Sequence, residues 1–518
     1  IVASRRNYLF VGESIDPNDW QSNVTADQIY QRVIDGVHHE DGHIILLHDA
    51  GGSSRKPTLD ALPRIIETLQ HEGYQFISLE QYLGMNKQTL MPEINKGKAY
   101  YAMQTNLWLA EMIYHVSDFL TALFLVFLAL GMMRLIFMYV LMIREKRAEN
   151  RRNYAPIDAA TAPTVSIIVP GYNEEVNIVR TITTLKQQDY PNLHIYFVDD
   201  GSKDHTLERV HEAFDNDDMV TVLAKKNGGK ASALNYGIAA CRSEYVVCID
   251  ADTQLKNDAV SRLMNHFIAD TEKRVGAVAG NVKVGNQRNM LTYWQAIEYT
   301  SSQNFDRMAY SNINAVTVVP GAIGAFRKEV IEAVGGFTTD TLAEDCDLTM
   351  SINEHGYIIE NENYAVALTE APETLRQFVK QRIRWCFGVM QAFWKHRSSL
   401  FAPSKKGFGL WAMPNMLIFQ YIIPTFSPLA DVLMLIGLFT GNALQIFFYY
   451  LIFLVIDASV SIMAYIFEGE RLWVLLWVIP QRFFYRWIMY YVLFKSYLKA
   501  IKGELQTWGV LKRTGHVQ

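Results

Sequence analysis

Residues 119–143 form one apolar stretch broken only by Arg134, and Arg144, Lys146, Arg147, Arg151 and Arg152 follow at once. A helix of that length spans a bilayer, and the positive-inside rule puts its cationic end in the cytoplasm. The 518-residue chain is thereby divided, with a membrane helix at 118–143, the residues before 118 expected outside and those after it inside. Arg134 is an ionisable group at membrane depth and either snorkels or faces a polar tunnel. Further apolar stretches at 410–439, 444–467 and 472–498 extend the membrane region over 409–499, and Pro414, Pro424 and Pro428 predict a bent or broken first helix. Three crossings would leave the C-terminal tail, 500–518, outside, which Lys499, Lys502, Lys512 and Arg513 oppose, so the number of crossings stays open. Hydrophobic residues make up 50% of the chain, close to a soluble protein's share; their distribution carries the information. Trp473, Trp477, Phe483, Phe484, Tyr485 and Trp487 suit a membrane interface.

Between the apolar segments lies a different pattern. Val165-Ser166-Ile167-Ile168-Val169, Ile195-Tyr196-Phe197-Val198 and Glu244-Tyr245-Val246-Val247-Cys248-Ile249 are near-continuous apolar runs, as buried parallel strands are. Helices are predicted at 175–188 and at 203–214, the second with Ser202 at its start. Alternating strands and helices predict an α/β domain with a mostly parallel sheet and right-handed crossovers. Each strand runs into polar residues: Tyr172-Asn173-Glu174, Asp199-Asp200-Gly201-Ser202 and Asp250-Ala251-Asp252. Ligands of open α/β sheets gather outside the carboxyl ends of strands, so these clusters belong to one rim.

The chemistry such a rim can perform follows from its residue types. A nucleotide-sugar donor has an anionic diphosphate leaving group, and a divalent cation on paired carboxylates neutralises it; Asp250 and Asp252 suit that task. An attacking hydroxyl needs a carboxylate to take its proton, and Glu344-Asp345-Cys346-Asp347 offers candidates, with Asp345 and Asp347 competing on chemistry alone. In Gln381-Arg382-Ile383-Arg384-Trp385 a cation stands next to a flat apolar ring on which a sugar can stack. Residues 375–394 also carry Phe378, Ile383, Phe387 and Met390 at helical spacing with cations between them, as an amphipathic helix on a membrane does.

In their order along the chain, Asp199-Asp200, Asp250-Ala251-Asp252, Glu344-Asp345 and Gln381-Arg382-Ile383-Arg384-Trp385 resemble the motifs of membrane-embedded, processive family 2 glycosyltransferases. The resemblance implies the nucleotide-diphosphosugar transferase (GT-A-like) fold over 155–372, interfacial helices over 373–408, and Mg²⁺ or Mn²⁺ as cofactor. It implies a donor site of Tyr172, Glu174, Asp199, Asp200, Lys230, Asp250 and Arg384, and a metal on Asp250 and Asp252. It further places Asp345, with Glu344 beside it, in the catalytic set, and Gln381 and Trp385 on the acceptor. In that family the region matching 290–310 is a mobile loop near the acceptor, and 319–327 lies beneath it.

The first hundred residues differ in character. Asp19-Trp20, then Gly42-His43-Ile44-Ile45-Leu46-Leu47-His48-Asp49-Ala50-Gly51-Gly52, Arg55 and Thr58, and Gly73-Tyr74-Gln75-Phe76-Ile77-Ser78-Leu79, resemble the closing part of a polysaccharide deacetylase domain, an α/β fragment over 1–100. That family's metal ligands come from earlier strands, so His48 is expected to be a strand-end histidine with a structural hydrogen bond, and the natural protein is expected to be longer. An extracellular deacetylase implies an N-acetylated product. The expected function is therefore processive, inverting polymerisation of N-acetylglucosamine from UDP-GlcNAc, with export across the plasma membrane. Cellulose- or hyaluronan-type synthesis, non-processive transfer to a lipid-linked sugar, and a catalytically silent scaffold or export channel are the alternatives.

A net charge of −5 without a basic patch beyond the membrane flanks argues against nucleic acid as a partner. Cys241, Cys248, Cys346 and Cys386 lie on the side expected to be cytoplasmic, where thiols stay reduced, and their spacing fits no zinc site. The expected partners are the UDP-sugar donor, the growing polysaccharide and the bilayer. Oligomeric state is not readable.

Overall fold

The computed structural model describes residues 11–39, 44–50, 54–90, 96–152, 154–439 and 443–502. Gly42, His43, Gly51, Gly52, Lys512 and Arg513, which the sequence reading used, lie outside the described residues. The chain divides into two compact units, 1–117 and 118–518.

In the first unit, helices Ala26–His39 and Lys56–His71 pack Ile29, Val33 and Val37 against Ala61, Ile65 and Leu69, one buried residue per turn on each helix. Thr25 and Gln28 exchange side-chain-to-backbone hydrogen bonds at the first helix's start, a capping box. The expected α/β character is not met among the described residues: a single parallel bridge, Ile15 to Ile45, stands where strands were predicted. Two extended runs with only each other as partners are marginal as a sheet. His48 instead follows that bridge in irregular backbone.

The second unit is built on an eight-stranded mixed sheet. Its strands are β1 (Val165–Gly171), β2 (Leu193–Asp199), β3 (Val220–Ala224), β4 (Tyr245–Cys248), β5 (Gln254–Leu255), β6 (Val275–Val284), β7 (Gly324–Arg327) and β8 (Ile358–Thr369), in the order β3-β2-β1-β4-β7-β6-β8-β5. The sheet is parallel through β3-β2-β1-β4 and between β6 and β8, but β7 runs against both of its neighbours and β5 runs against β8. The prediction of a mostly parallel sheet thus fails at β7. The chain reaches β7 from β6 through the helical excursion from Met290 to Ser311, so no single crossover helix imposes parallel entry.

All of β1 is buried, and its alternation feeds two cores: Val165, Ile167 and Val169 face helix Ile178–Lys186, while Ile168 faces helix Lys230–Ala240. The predicted helices start late, at Ile178 and Thr206, because the strand ends before them are held in turns: Asn173 (φ +57°) donates its N–H to Ser202 Oγ, and Glu174 to Thr206 Oγ1. Ser202 therefore does not cap its helix. Asp204 accepts the Thr206 N–H instead.

Helix Lys98–Glu149 contains the expected span and exceeds it at both ends, since neither Pro nor Gly interrupts its polar flanks. Among the described residues, its segment Tyr100–Glu149 is the one helix long and apolar enough to cross a membrane, by length and composition. Arg134 turns inward, to Asp306 at 2.8 Å, Asn415 at 2.8 Å and Tyr310 at 3.4 Å. The Pro-rich stretch is helical but irregular: π-helical turns Phe408–Ala412 and Met416–Ile422 precede helix Ile423–Phe439, as expected where Pro removes backbone donors. Helices Ala443–Glu468 and Val478–Lys502 follow.

Candidate functional site

The carboxyl ends of β1 and β4, the start of helix Glu344–Glu354, one face of helix Leu375–Lys395 and the helical stretch from Met290 to Ser311 surround a cavity of about 400 Å³. Tyr172, Glu174, Lys230, Asp250, Asp252, Glu344, Asp345, Gln381, Arg384 and Trp385 all line it. Asp199 and Asp200 do not. The Asp199 carboxylate accepts the Gly201 and Ser202 N–H groups, at 3.0 and 3.1 Å, and Gly201 turns with φ +73°, where a Cβ would meet the Asn227 nitrogen at 2.9 Å. Asp200 accepts from Lys225 Nζ at 2.7 Å and from the Gly228 and Gly229 N–H groups at 3.0 and 2.7 Å. Asp200 thus holds the loop that leads to Lys230, while Asp199 holds its own turn through Oδ2 and leaves Oδ1 buried without a hydrogen-bond partner.

Lys230 is the first residue of its helix rather than a solvated loop lysine. Its ammonium lies 2.6 Å from Asp250 and 3.1 Å from Glu344, on a side chain only 12% exposed. Burial opposes its charge, but the carboxylates of Asp250, Glu344 and Asp345 outweigh burial and raise its pKa. The Asp250-Ala251-Asp252 turn is closed by Thr253 N–H on the Asp250 carbonyl, and Thr181 Oγ1 binds the Ala251 carbonyl from the neighbouring helix.

The two competing carboxylates of helix Glu344–Glu354 meet different fates. Asp345 faces the cavity, accepts the Gly321 N–H at 3.3 Å, and is pushed up to a pKa of about 6 by burial and by Glu344, against the pull of Lys230. Asp347 lies outside the cavity, gripped by His396 Nε2 and Lys395 Nζ, each at 2.9 Å. Burial would raise it, but hydrogen bonds from His396, Thr338 and Lys395 take it down to about 2. A base must be deprotonated yet not locked in ion pairs, which favours Asp345.

Helix Leu375–Lys395 presents Gln381, Arg384 and Trp385, at i, i+3 and i+4, to the cavity. Arg382 points elsewhere. It pairs with Glu298 at 2.6 Å and sets its guanidinium 4.4 Å from the centre of the Trp385 ring. The motif's first arginine is therefore a support and its second a wall of the cavity.

Sequence reasoning missed the opposite wall: Ser302, Gln303, Asp306, Arg307 and Tyr310 also line the cavity. The amphipathic pattern at 290–310 was the available signal. The region, expected as a loop, is helical, and its π-helical turn Tyr299–Asn304 shifts the face that side chains present. Of the segment 319–327, Pro320, Gly321 and Ala322 line the cavity and Gly324–Arg327 is β7.

In the first unit, His48 Nδ1 lies 2.8 Å from Asp19 Oδ1, and Thr58 Oγ1 donates to Asp19 Oδ2 at 2.9 Å. Burial pushes the Asp19 carboxyl up, but its bonds with His48 and Thr58 hold it below the usual carboxylate range.

Among the described residues no group of three or more His, Cys, Asp or Glu side chains is arranged to hold a metal by itself. Asp250 and Asp252 supply two. Magnesium-type sites are commonly completed by substrate phosphates and water around one or two carboxylates, so this donor set fits a cation that arrives with a diphosphate.

Residues 166–335 match the family model described as Glycosyl transferase family 2. The poly-beta-1,6-N-acetyl-D-glucosamine synthase of Staphylococcus epidermidis is 32% identical over 260 residues, covering 49% of this chain and 62% of that protein. The enzyme of the same name from Staphylococcus aureus (strain COL) is 33% identical over 224 residues, 43% of this chain and 54% of that protein. The chain thus spans between half and two thirds of the length of these curated relatives. A solved structure, mannosyltransferase PcManGT from Pyrobaculum calidifontis in complex with GDP-Man and Mn2+, aligns over 69% of this chain and 98% of its own with a TM-score of 0.49 and 23% identity.

Proposed function

We propose that this chain is a membrane-embedded, UDP-sugar-dependent glycosyltransferase that extends an N-acetylglucosamine polymer processively. One observation carries the reading: a single cavity gathers a paired-carboxylate turn, a buried lysine, an unlocked carboxylate and a tryptophan beside an arginine. The match of 166–335 to family 2 supports the reaction class, and the names of the staphylococcal relatives support N-acetylglucosamine and a β-1,6 linkage.

The transfer is a single displacement. The acceptor hydroxyl oxygen attacks the anomeric carbon, the bond to the UDP oxygen breaks, and the hydroxyl proton passes to Asp345; one displacement inverts the anomeric configuration. Tyr172 and Glu174 suit the nucleoside end of the donor, and Lys230 and Arg384 the charge of the departing diphosphate. Asp250 and Asp252 would hold Mg²⁺ or Mn²⁺, which when bound would neutralise that diphosphate further. Asp200 acts behind this site, by holding the loop that delivers Lys230. Trp385, beside Arg382, offers the apolar face on which the acceptor sugar stacks and the chain is retained. Membranes containing the protein, given labelled UDP-sugars, should convert UDP-GlcNAc into a long polymer cut by β-1,6-specific hydrolases. A product of one added sugar, or incorporation of glucose or glucuronate instead, would sink the processive or the sugar assignment respectively.

Residues 118–143 are read as a membrane span with 155–372 cytoplasmic. The exposed apolar side chains Phe119, Leu125, Val126, Met133 and Ile136 on its helix, and Phe447, Leu451, Ile452, Val455 and Ile466 on Ala443–Glu468, support burial in lipid. In Glu212→Cys, an impermeant thiol reagent should label only after permeabilisation; labelling of intact cells would reverse the orientation. The first unit is read as the closing part of a deacetylase-like domain, supported by the Asp19, His48 and Thr58 cluster.

A further inference from the structure

Helix Glu344–Glu354 carries the base, yet nothing local fixes where it starts. Its N-cap position is Ala343, which has no side-chain acceptor for the first N–H groups, where Ser, Thr, Asp or Asn commonly supplies one. The segment is instead held from helix Leu375–Lys395. Gln391 Oε1 accepts the Leu342 N–H at 3.1 Å, and the buried Gly388 lies directly against Leu342 and Ala343. A Cβ at 388 would stand 2.7 Å from the Ala343 nitrogen, 2.8 Å from the Leu342 carbonyl carbon and 2.9 Å from the Ala343 Cβ. None of these atoms can turn aside, as the tip of a flexible side chain would. Backbone thus meets backbone at this crossing, and glycine is the residue that allows it.

The position of this contact gives it a meaning beyond packing. Arg384, Gly388, Gln391 and Lys395 recur every three or four residues, so the helix face that shows Arg384 and Trp385 to the cavity runs on into the contact. On the other side Leu342, Ala343, Glu344 and Asp345 are consecutive, and all four line the cavity. Acceptor platform and base are therefore joined through one helical turn on the first side and two residues on the second. Farther along, Lys395 and His396 grip Asp347, each at 2.9 Å, and His396 reaches Glu354 at 2.8 Å. Those bonds hold the two helices together beyond the crossing, so bulk added at 388 has to be accommodated at the cavity end. Restoring ordinary van der Waals contact there needs a separation of roughly 0.5–1 Å. A misplacement of that size between reacting groups can cost about 10²-fold in rate.

We propose that Gly388 and Gln391 are positioning residues for the transfer, which set the distance between Asp345 and the acceptor sugar on Trp385 so that the attacking hydroxyl reaches its base. This deepens the reading of the cavity as a polymerising transferase and rests on it. The test uses the full-length protein in membranes with UDP-GlcNAc, and expresses turnover per UDP-binding site, which counts folded sites alone. Gly388→Ala should lower kcat per site at least about tenfold. The KM for UDP-GlcNAc should change less than about threefold, since Tyr172, Glu174, Asp250 and Asp252 stand on other elements. Gln391→Met keeps the length, loses the acceptor and should lower kcat per site about fivefold, whereas Gln391→Glu still accepts the Leu342 N–H and should stay within about twofold of wild type. A loss that tracks only the number of UDP-binding sites would reduce the contact to packing and overturn the proposal. Full turnover per site in Gly388→Ala, or equal losses in the two Gln391 variants, would do the same. If Gly388→Ala bound no UDP at all, the Gln391 pair would decide alone. A wild type that transfers nothing from UDP-GlcNAc would instead sink the transferase reading itself, and this inference with it.

Discussion

Asp345→Asn is expected to lower polymer synthesis by at least ~10² while UDP-GlcNAc affinity changes little. General base catalysis contributes typically 10²–10⁴, and asparagine keeps the size and most of the hydrogen bonding of aspartate but cannot take the hydroxyl proton. The pH profile makes the test sharper. A base works deprotonated, and burial with Glu344 has raised the Asp345 pKa to about 6, so wild-type turnover should fall as pH drops through about 6. That limb should vanish in the variant's residual activity. Asp347→Asn should behave differently, because Asp347 is locked on His396 and Lys395; its loss should lower thermal stability on the order of 3 kcal/mol and leave the acid limb in place. Near-normal turnover in Asp345→Asn with loss in Asp347→Asn would move the base to Asp347.

That Asp345 and Asp347 separate so cleanly could not be read from the chain, because His396 and Lys395, which make the difference, lie almost fifty residues later. The legible features were local. Apolar runs ending in Tyr172, Asp200 and Asp250 announced strands with polar rims, and the i, i+3, i+4 spacing of Gln381, Arg384 and Trp385 announced one helical face. What stayed hidden was pairing over distance. Asp200 accepts from Lys225 and from the Gly228 and Gly229 N–H groups, partners about 25 residues away that the local motif does not announce. Lys230, expected at the donor site, is also the counter-charge of Asp250 and Glu344, two residues 20 and 114 positions later. The reversal of β7 and the π-helical turn that brings Arg307 into the cavity have no periodic signature. They follow from how the segment between β6 and β7 packs, a tertiary choice that overrides local preference.

Removal of divalent cations should abolish turnover, and Mg²⁺ or Mn²⁺ should restore it. The argument is one of charge and ligand number. A diphosphate leaving group brings more negative charge than Lys230 can neutralise, and Lys230 is already shared between Asp250 and Glu344. With no group of three ligating side chains arranged for a metal among the described residues, Asp250 and Asp252 offer an incomplete set, and the diphosphate oxygens have to supply the rest. Cation and nucleotide should therefore bind cooperatively: Mn²⁺ affinity, read by paramagnetic resonance, should be weak in the absence of UDP and at least about tenfold tighter in its presence, and UDP affinity should rise by the same factor when Mn²⁺ is added. Asp252→Asn should remove that mutual enhancement while the Lys230 ion pairs, which do not involve Asp252, remain. Full activity in excess chelator, or tight Mn²⁺ binding that ignores UDP, would take the metal away from Asp250 and Asp252 and leave Lys230 and Arg384 to carry the leaving group's charge.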